Sequence, residues 1–206
     1  MNTSQEYIQQ NKDRYVEELI ELLRIPSVST DSSKKDAIHQ AANFLLSQFK
    51  QFDFNKVELF ETPGNPIVYA EHCPHSDKPT VLIYGHYDVQ PSDPDYLWDS
   101  PAFEPVIKDG DIYARGASDD KGQSYTHIKA VESFVKTGQE IPVNVKFLLE
   151  GEEEIGSPNL VPFIESHIDL LNCDMVLISD TSMFGKDIPS ITYGLRGLAY
   201  MEVEVT

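Results

Sequence analysis

The amino-acid sequence predicts an α/β fold: a three-layer α/β/α sandwich with helices on both faces of a mostly parallel central sheet. Three observations predict it. Apolar segments of strand length alternate with longer segments of helical period, the pattern of parallel strands joined by crossover helices. Three apolar strands run directly into imidazole or carboxylate side chains, as happens where an open sheet gathers ligand-binding residues at its carboxyl ends. The chain has 206 residues, 40% hydrophobic and 24% charged, enough for one domain with a sizeable core.

The elements follow in order. Thr3-Ser4-Gln5-Glu6 has capping-box spacing, and Ile8, Tyr15, Val16, Leu19, Ile20 and Leu23 recur at helical intervals until Pro26. A second helix is predicted from Lys35 to Phe52, with Ile38, Ala41, Ala42, Leu45, Phe49 and Phe52 on one face. Strands at Lys56–Phe60 and Ile67–His72 precede the apolar strand Thr80–Tyr84, which leads into His86, Tyr87 and Asp88. Val106–Tyr113 reads as a hairpin, because Asp109-Gly110 supplies a tight turn between apolar ends. Asp120–Lys136 reads as a helix stopped by Gly138, and Val143–Leu149 as a strand. Ser157-Pro158 suits the start of a helix reaching about Leu171, and Asp174–Ser179 is a short apolar strand. In Leu198–Thr206, Met201, Val203 and Val205 alternate with Glu202, Glu204 and Thr206, as in a half-buried strand. No turn or partner strand follows it, so the sequence reads as the N-terminal portion of a longer protein.

Charge excludes several partners. Asp and Glu number 34 against 16 Lys and Arg, a formal net charge of −18. Nucleic acid and anionic membrane both need basic patches, so neither is a partner on this reading. Bound cations would offset part of the excess. Cys73 and Cys173 have no CxxC spacing and read as reduced thiols of a cytoplasmic protein. The polar first residues hold no signal-peptide core, and no apolar run approaches the ~20 residues of a membrane span.

Four segments carry candidate chemistry. In extended backbone, residues i and i+2 share a face, so Asp88 can reach the far nitrogen of His86 and fix its tautomer, leaving the other nitrogen free for a metal. VKFLLEGEEE ends at Glu150 and Glu152–Glu154, and adjacent carboxylates behind a buried strand are costly unless cations or shared protons offset them. MVLIS ends at Asp180, and RGASDDKG sets Asp119 and Asp120 before a helix. Imidazole with carboxylates suits zinc or manganese better than magnesium or calcium.

GHYDVQP, RGASDDKG, EGEEEIGS and VLISD, in this order, resemble the M20 family of metallopeptidases, its carnosinase-like dipeptidase branch in particular, and IPSVS and YGLRG fit as well. The resemblance implies a zinc-peptidase-like catalytic domain over residues 1–195, with 196–206 opening a lid that also dimerises the full-length protein. It implies two divalent cations, zinc foremost, with manganese or cobalt as alternatives. His86 and Asp180 would bind one metal, Glu154 the other, and Asp119 both. Glu153 would be the general base acting on a water between the metals, with Asp88 supporting His86, and the Asp119–Asp120 bond would be cis. Asp120 would be a ligand only if the register shifts by one, and Glu152 is the weaker alternative base. The implied reaction is hydrolysis of a small peptide. Alternatives are an N-acyl-amino-acid deacylase or desuccinylase on the same centre, or a non-catalytic metal-binding module. The last histidine ligand would lie outside the chain, so these 206 residues alone are expected to be inactive or nearly so. Arg115 and Lys121 are read as charge balance, Tyr96 and Trp98 as loop anchors, and His39, His72, His75, His127 and His167 as surface or packing residues.

Overall fold

The computed structural model describes residues 3–185 and 187–205. Helix α1 (Ser4–Gln10) opens on the expected capping box, Thr3 Oγ1 accepting the Glu6 N–H and Glu6 Oε2 accepting the Thr3 N–H. The helix breaks at Asn11, whose side-chain amide turns back to the Tyr7 carbonyl, and α2 (Lys12–Leu23) continues it. Helix α3 (Lys35–Phe49) stops short of Phe52, whose ring instead meets Phe54.

The strands are β1 (Lys56–Phe60), β2 (Ile67–His72), β3 (Thr80–His86), β4 (Val106–Lys108), β5 (Asp111–Tyr113), β6 (Asn144–Glu150) and β7 (Met175–Ile178). Helix α4 (Lys121–Thr137) lies between β5 and β6, and α5 (Leu160–Ser166) and α6 (Ile168–Leu171) between β6 and β7. Strands β4 and β5 form the expected hairpin, with Asp109 and Gly110 both at positive φ in its turn. The main sheet has the order β1-β2-β6-β3-β7. Its pairing is mixed: β3 is parallel to β6 and β7, whereas β2 is antiparallel to β1 and β6. The reason is connection length. The short link between β1 and β2 permits only an antiparallel return, while α4 and the α5–α6 pair supply the crossovers that parallel neighbours need.

Alternation along the strands splits the core between two faces. Val68, Ala70, Ile83, Val145, Phe147 and Leu149 face the α1–α4 side, packed with Leu22, Ile38, Leu45, Phe49 and Ile128. Ile67, Tyr69, Leu82 and Leu148 face the other side, under Phe163 and Leu171. Helix α4 ends as expected, at Gly138 in left-handed backbone.

Two expectations are corrected. Ser157 has φ 50 and gives its hydroxyl to Glu150 Oε1, so it caps no helix; α5 starts at Leu160 and the helical run breaks at His167. The alternating segment from Leu198 forms no strand: its described residues, 198–205, are exposed and without regular structure, since a strand of either polarity needs a partner to bond. Thr206 lies outside the described residues. No helix among the described residues is long and apolar enough to cross a membrane.

Candidate metal centre

Parallel register carries the strands to one edge. His86 sits opposite Glu150 on β6, and Tyr84 opposite Ile178 on β7, so β3, β6 and β7 all discharge their following residues on the same side. The first turn of α4 reaches that edge through Gly85. A Cβ there would lie 2.0 Å from Ser124 Oγ and 2.6 Å from Asp120 Oδ2, so only glycine admits this approach. Asp120 Oδ2 then accepts the His86 N–H at 3.1 Å and the Ser124 hydroxyl at 2.6 Å.

The His86 side chain is fully buried. Its Nδ1 lies 3.1 Å from the Asp88 carbonyl oxygen and 3.4 Å from Asp88 Oδ1, so Asp88 orients the ring through backbone and carboxylate together. The other nitrogen, Nε2, is buried and makes no hydrogen bond. Around it stand Asp119 Oδ1 at 3.1 Å, Asp180 Oδ2 at 3.5 Å and Glu153 Oε2 at 3.9 Å. One ligand atom from each of His86, Asp119 and Asp180 falls within 4.8 Å of the others. The Asp119–Asp120 peptide bond is cis.

Asp88 also braces the acidic turn. Its two carboxylate oxygens accept the backbone N–H groups of Glu153 and Glu154 at 3.2 and 3.1 Å. The Glu154 carboxylate accepts from the Gln90 side chain at 2.7 Å. Glu152 is buried and turned away from this cluster, accepting from the Asn65 N–H and the Asn159 side chain. Glu150 is likewise occupied, by the hydroxyls of Tyr84 and Ser157.

The electrostatics suit a cation. Burial acts to lower the proton affinity of His86, but Asp88, Asp120 and Glu153 outweigh it and hold the imidazole at about 10. Burial, reinforced by neighbouring carboxylates, pushes Glu153 and Glu154 above the ordinary carboxylate range, and burial lifts Asp120 to about 6. A field that favours positive charge beside an unpartnered imidazole nitrogen is what a divalent cation answers. The donor set of one imidazole and several carboxylates fits zinc or manganese.

Of the residues singled out in the sequence, His86, Asp119 and Asp180 converge, with Glu153 at their margin and Glu154 one residue on. Asp120, the alternative ligand, stands behind His86 rather than among these groups. Arg115 and Trp98 anchor their loop: the guanidinium lies over the indole and donates to the Pro91 carbonyl, and the indole N–H donates to the Ser92 carbonyl. Lys121 is more than charge balance. It is buried, and its ammonium donates to the Leu22 and Ile25 carbonyls at the end of α2. His127, set aside as packing, hydrogen-bonds Ser179 at 2.9 Å. Gln90 sat inside a quoted motif but carried no signal of its contact with Glu154.

An α/β sheet whose carboxyl edge gathers an imidazole and carboxylates places the chain in the class of α/β proteins built around a divalent-metal donor set. The chain belongs to peptidase family M20/M25/M40, whose pattern matches residues 82–205. It is 34% identical over 212 residues to a Cys-Gly metallodipeptidase of Schizosaccharomyces pombe, covering 97% of this chain and 44% of that protein. It is 41% identical over 145 residues to the human Beta-Ala-His dipeptidase, covering 69% of this chain and 29% of that protein. The crystal structure of human carnosine dipeptidase 1 superposes with a TM-score of 0.80, with 31% identity, over 85% of this chain and 40% of that one. The chain thus spans less than half the length of these relatives.

Proposed function

We propose that this chain is the metal-binding part of a dipeptidase that hydrolyses small peptides. The observation that carries the reading is the buried, unpartnered Nε2 of His86 facing Asp119 and Asp180. The relatives, a Cys-Gly metallodipeptidase and a Beta-Ala-His dipeptidase, favour a dipeptide over an N-acyl amino acid as the substrate class.

His86, Asp119 and Asp180 would hold one divalent cation, zinc first and manganese or cobalt next, and Asp119 with Glu154 would hold a second. When bound, such cations polarise the scissile carbonyl and lower the pKa of water. Glu153 acts as the general base: its carboxylate takes a proton from the attacking water and returns it to the departing amine, so the peptide bond is exchanged for a carboxylate and an amine. Its partly buried setting, which raises its proton affinity, suits both halves of that transfer. Asp88 keeps the His86 ring turned and holds the backbone of Glu153 and Glu154 in place.

Residues 1–195 are read as catalytic-domain residues and 196–206 as the entry to a lid that dimerises the full-length protein. Support for the lid entry is the exposed apolar alternation of Met201, Val203 and Val205. The free thiols of Cys73 and Cys173 support a cytoplasmic setting. Since His86, Asp119 and Asp180 give three ligands to one ion, the purified chain is expected to retain about one zinc per molecule after gel filtration. Dipeptide turnover is expected only when downstream sequence is included, and only with added cation. Zinc-free chain after loading, or cation-independent turnover, would overturn the reading. Release of N-acyl groups in preference to dipeptide cleavage would move the substrate class to the deacylase alternative.

A further inference from the structure

The strand that delivers Asp180 is held unlike the one that delivers His86. Strand β7 is an edge strand paired only with β3, and the ladder ends at Tyr84↔Ile178. Its far end is fixed twice, by the Asp174 N–H donating to the Thr80 carbonyl and the Thr80 N–H donating to Asp174 Oδ2. Beyond Ile178 the ladder gives no support, yet Asp180 must come within 3.5 Å of His86 Nε2. Among the described residues, the side-chain hydrogen bond that ties this exit to another element joins Ser179 Oγ to His127 Nε2 at 2.9 Å. His127 stands on α4, the helix that starts just after Asp119. One rigid helix therefore positions both carboxylates: Asp119 directly, and Asp180 through the Ser179 tether.

We infer that His127 is a positioning residue, which through Ser179 sets where Asp180 stands and so sets the affinity of the centre for a divalent cation. The inference rests on reading His86, Asp119 and Asp180 as a cation site. Partners that orient ligands from one shell out typically account for about 10–100-fold in metal affinity. The tether is a single neutral hydrogen bond, so the lower end of that range is expected.

The test measures zinc affinity by competition with a chromophoric chelator, alongside the far-ultraviolet spectrum and thermal midpoint of chelator-treated protein. His127→Ala and Ser179→Ala are each expected to weaken zinc binding about tenfold. The double variant should be no weaker than either single one, because both remove the same bond. His127→Gln, which keeps a polar group of similar reach, should recover most of the loss, whereas His127→Leu, which fills the space without the bond to Ser179, should not; equal recovery by both would assign His127 to packing and overturn the inference. Should His127→Ala fail to fold, Ser179→Ala, which removes one oxygen, decides. If Ser179→Ala and His127→Ala keep wild-type affinity while Asp180→Ala loses it, the tether inference falls and the cation site stands. If Asp180→Ala also keeps wild-type affinity, the cation reading fails and the tether inference with it.

Discussion

Strands β3 and β7 are neighbours, parallel and in register, and each ends in a residue of the same cluster. Yet β3 lies between two strands, with Leu82, Ile83 and His86 buried, while all four residues of β7 are 39% to 62% exposed. The centre therefore has one leg set in the core and one on the rim. The difference teaches that two strands can bring side chains to one cluster by different means: the core strand supplies rigidity outright, and the edge strand borrows it from α4 through Ser179.

The comparison can be broken or sharpened by substitution. The largest effect is expected in the shared core: Phe147→Ala on β6, fully buried between α3 and the sheet, should lower unfolding free energy by about 3–5 kcal/mol in urea titrations. A loss below about 1 kcal/mol would mean that the central strands are no firmer than the rim. Next, His86→Ala should cost about 100-fold or more in zinc affinity, or ~2.7 kcal/mol at least. A smaller loss than that of Asp180→Ala would reverse the ranking of the two legs. Asp88→Asn keeps the shape but weakens the acceptor for His86, Glu153 and Glu154, and is expected to cost about 10–100-fold in zinc affinity.

A pH series separates two buried groups near this edge. Burial holds Lys121 at about 7 in the folded protein against an ordinary 10.5. The unfolded chain then binds more protons between these values, so the Lys121 contribution to stability rises with pH across that window. His86, raised to about 10 from 6.5, runs the other way: its contribution is full below 6.5 and is lost as pH climbs through 10. In chelator-treated protein, Lys121→Met should leave the His86 dependence unopposed, so that stability falls more steeply from pH 7 to 10 than in the wild type. An unchanged slope would show that Lys121 stays charged in the fold. The smallest effect is expected on the rim itself, where Val176→Ala should change stability by no more than about 0.5 kcal/mol.

Much of this was legible in the sequence because a buried strand that ends in His or Asp has few physical reasons to do so. His86 and Asp180 each follow an apolar run, so the sheet rule brings them to one edge, whereas the choice of Asp119 over Asp120 rests on the family resemblance. The choice among Glu152, Glu153 and Glu154 was not legible from charge. What sets Glu152 apart is its contact with Asn65 and Asn159, which occupy it from distant segments. The bracing role of Asp120 depends on the missing side chain of Gly85, a contact that no spacing encodes. His127 carries no motif, and its partner lies on another element. The antiparallel half of the sheet follows from a short link between β1 and β2, whereas the strand–helix rhythm speaks only for the half from Thr80 onward.

One short carboxylate spans the gap between the imidazole strand and the acidic turn, with His86 on one side and two N–H groups on the other. The separation between His86 and Glu153 is thus calibrated by the reach of an aspartate, as a gauge block sets a jaw. Lengthening position 88 by a single methylene should detune both at once. Transplanting either half of this edge into another scaffold would lose the spacing unless that residue travels with it.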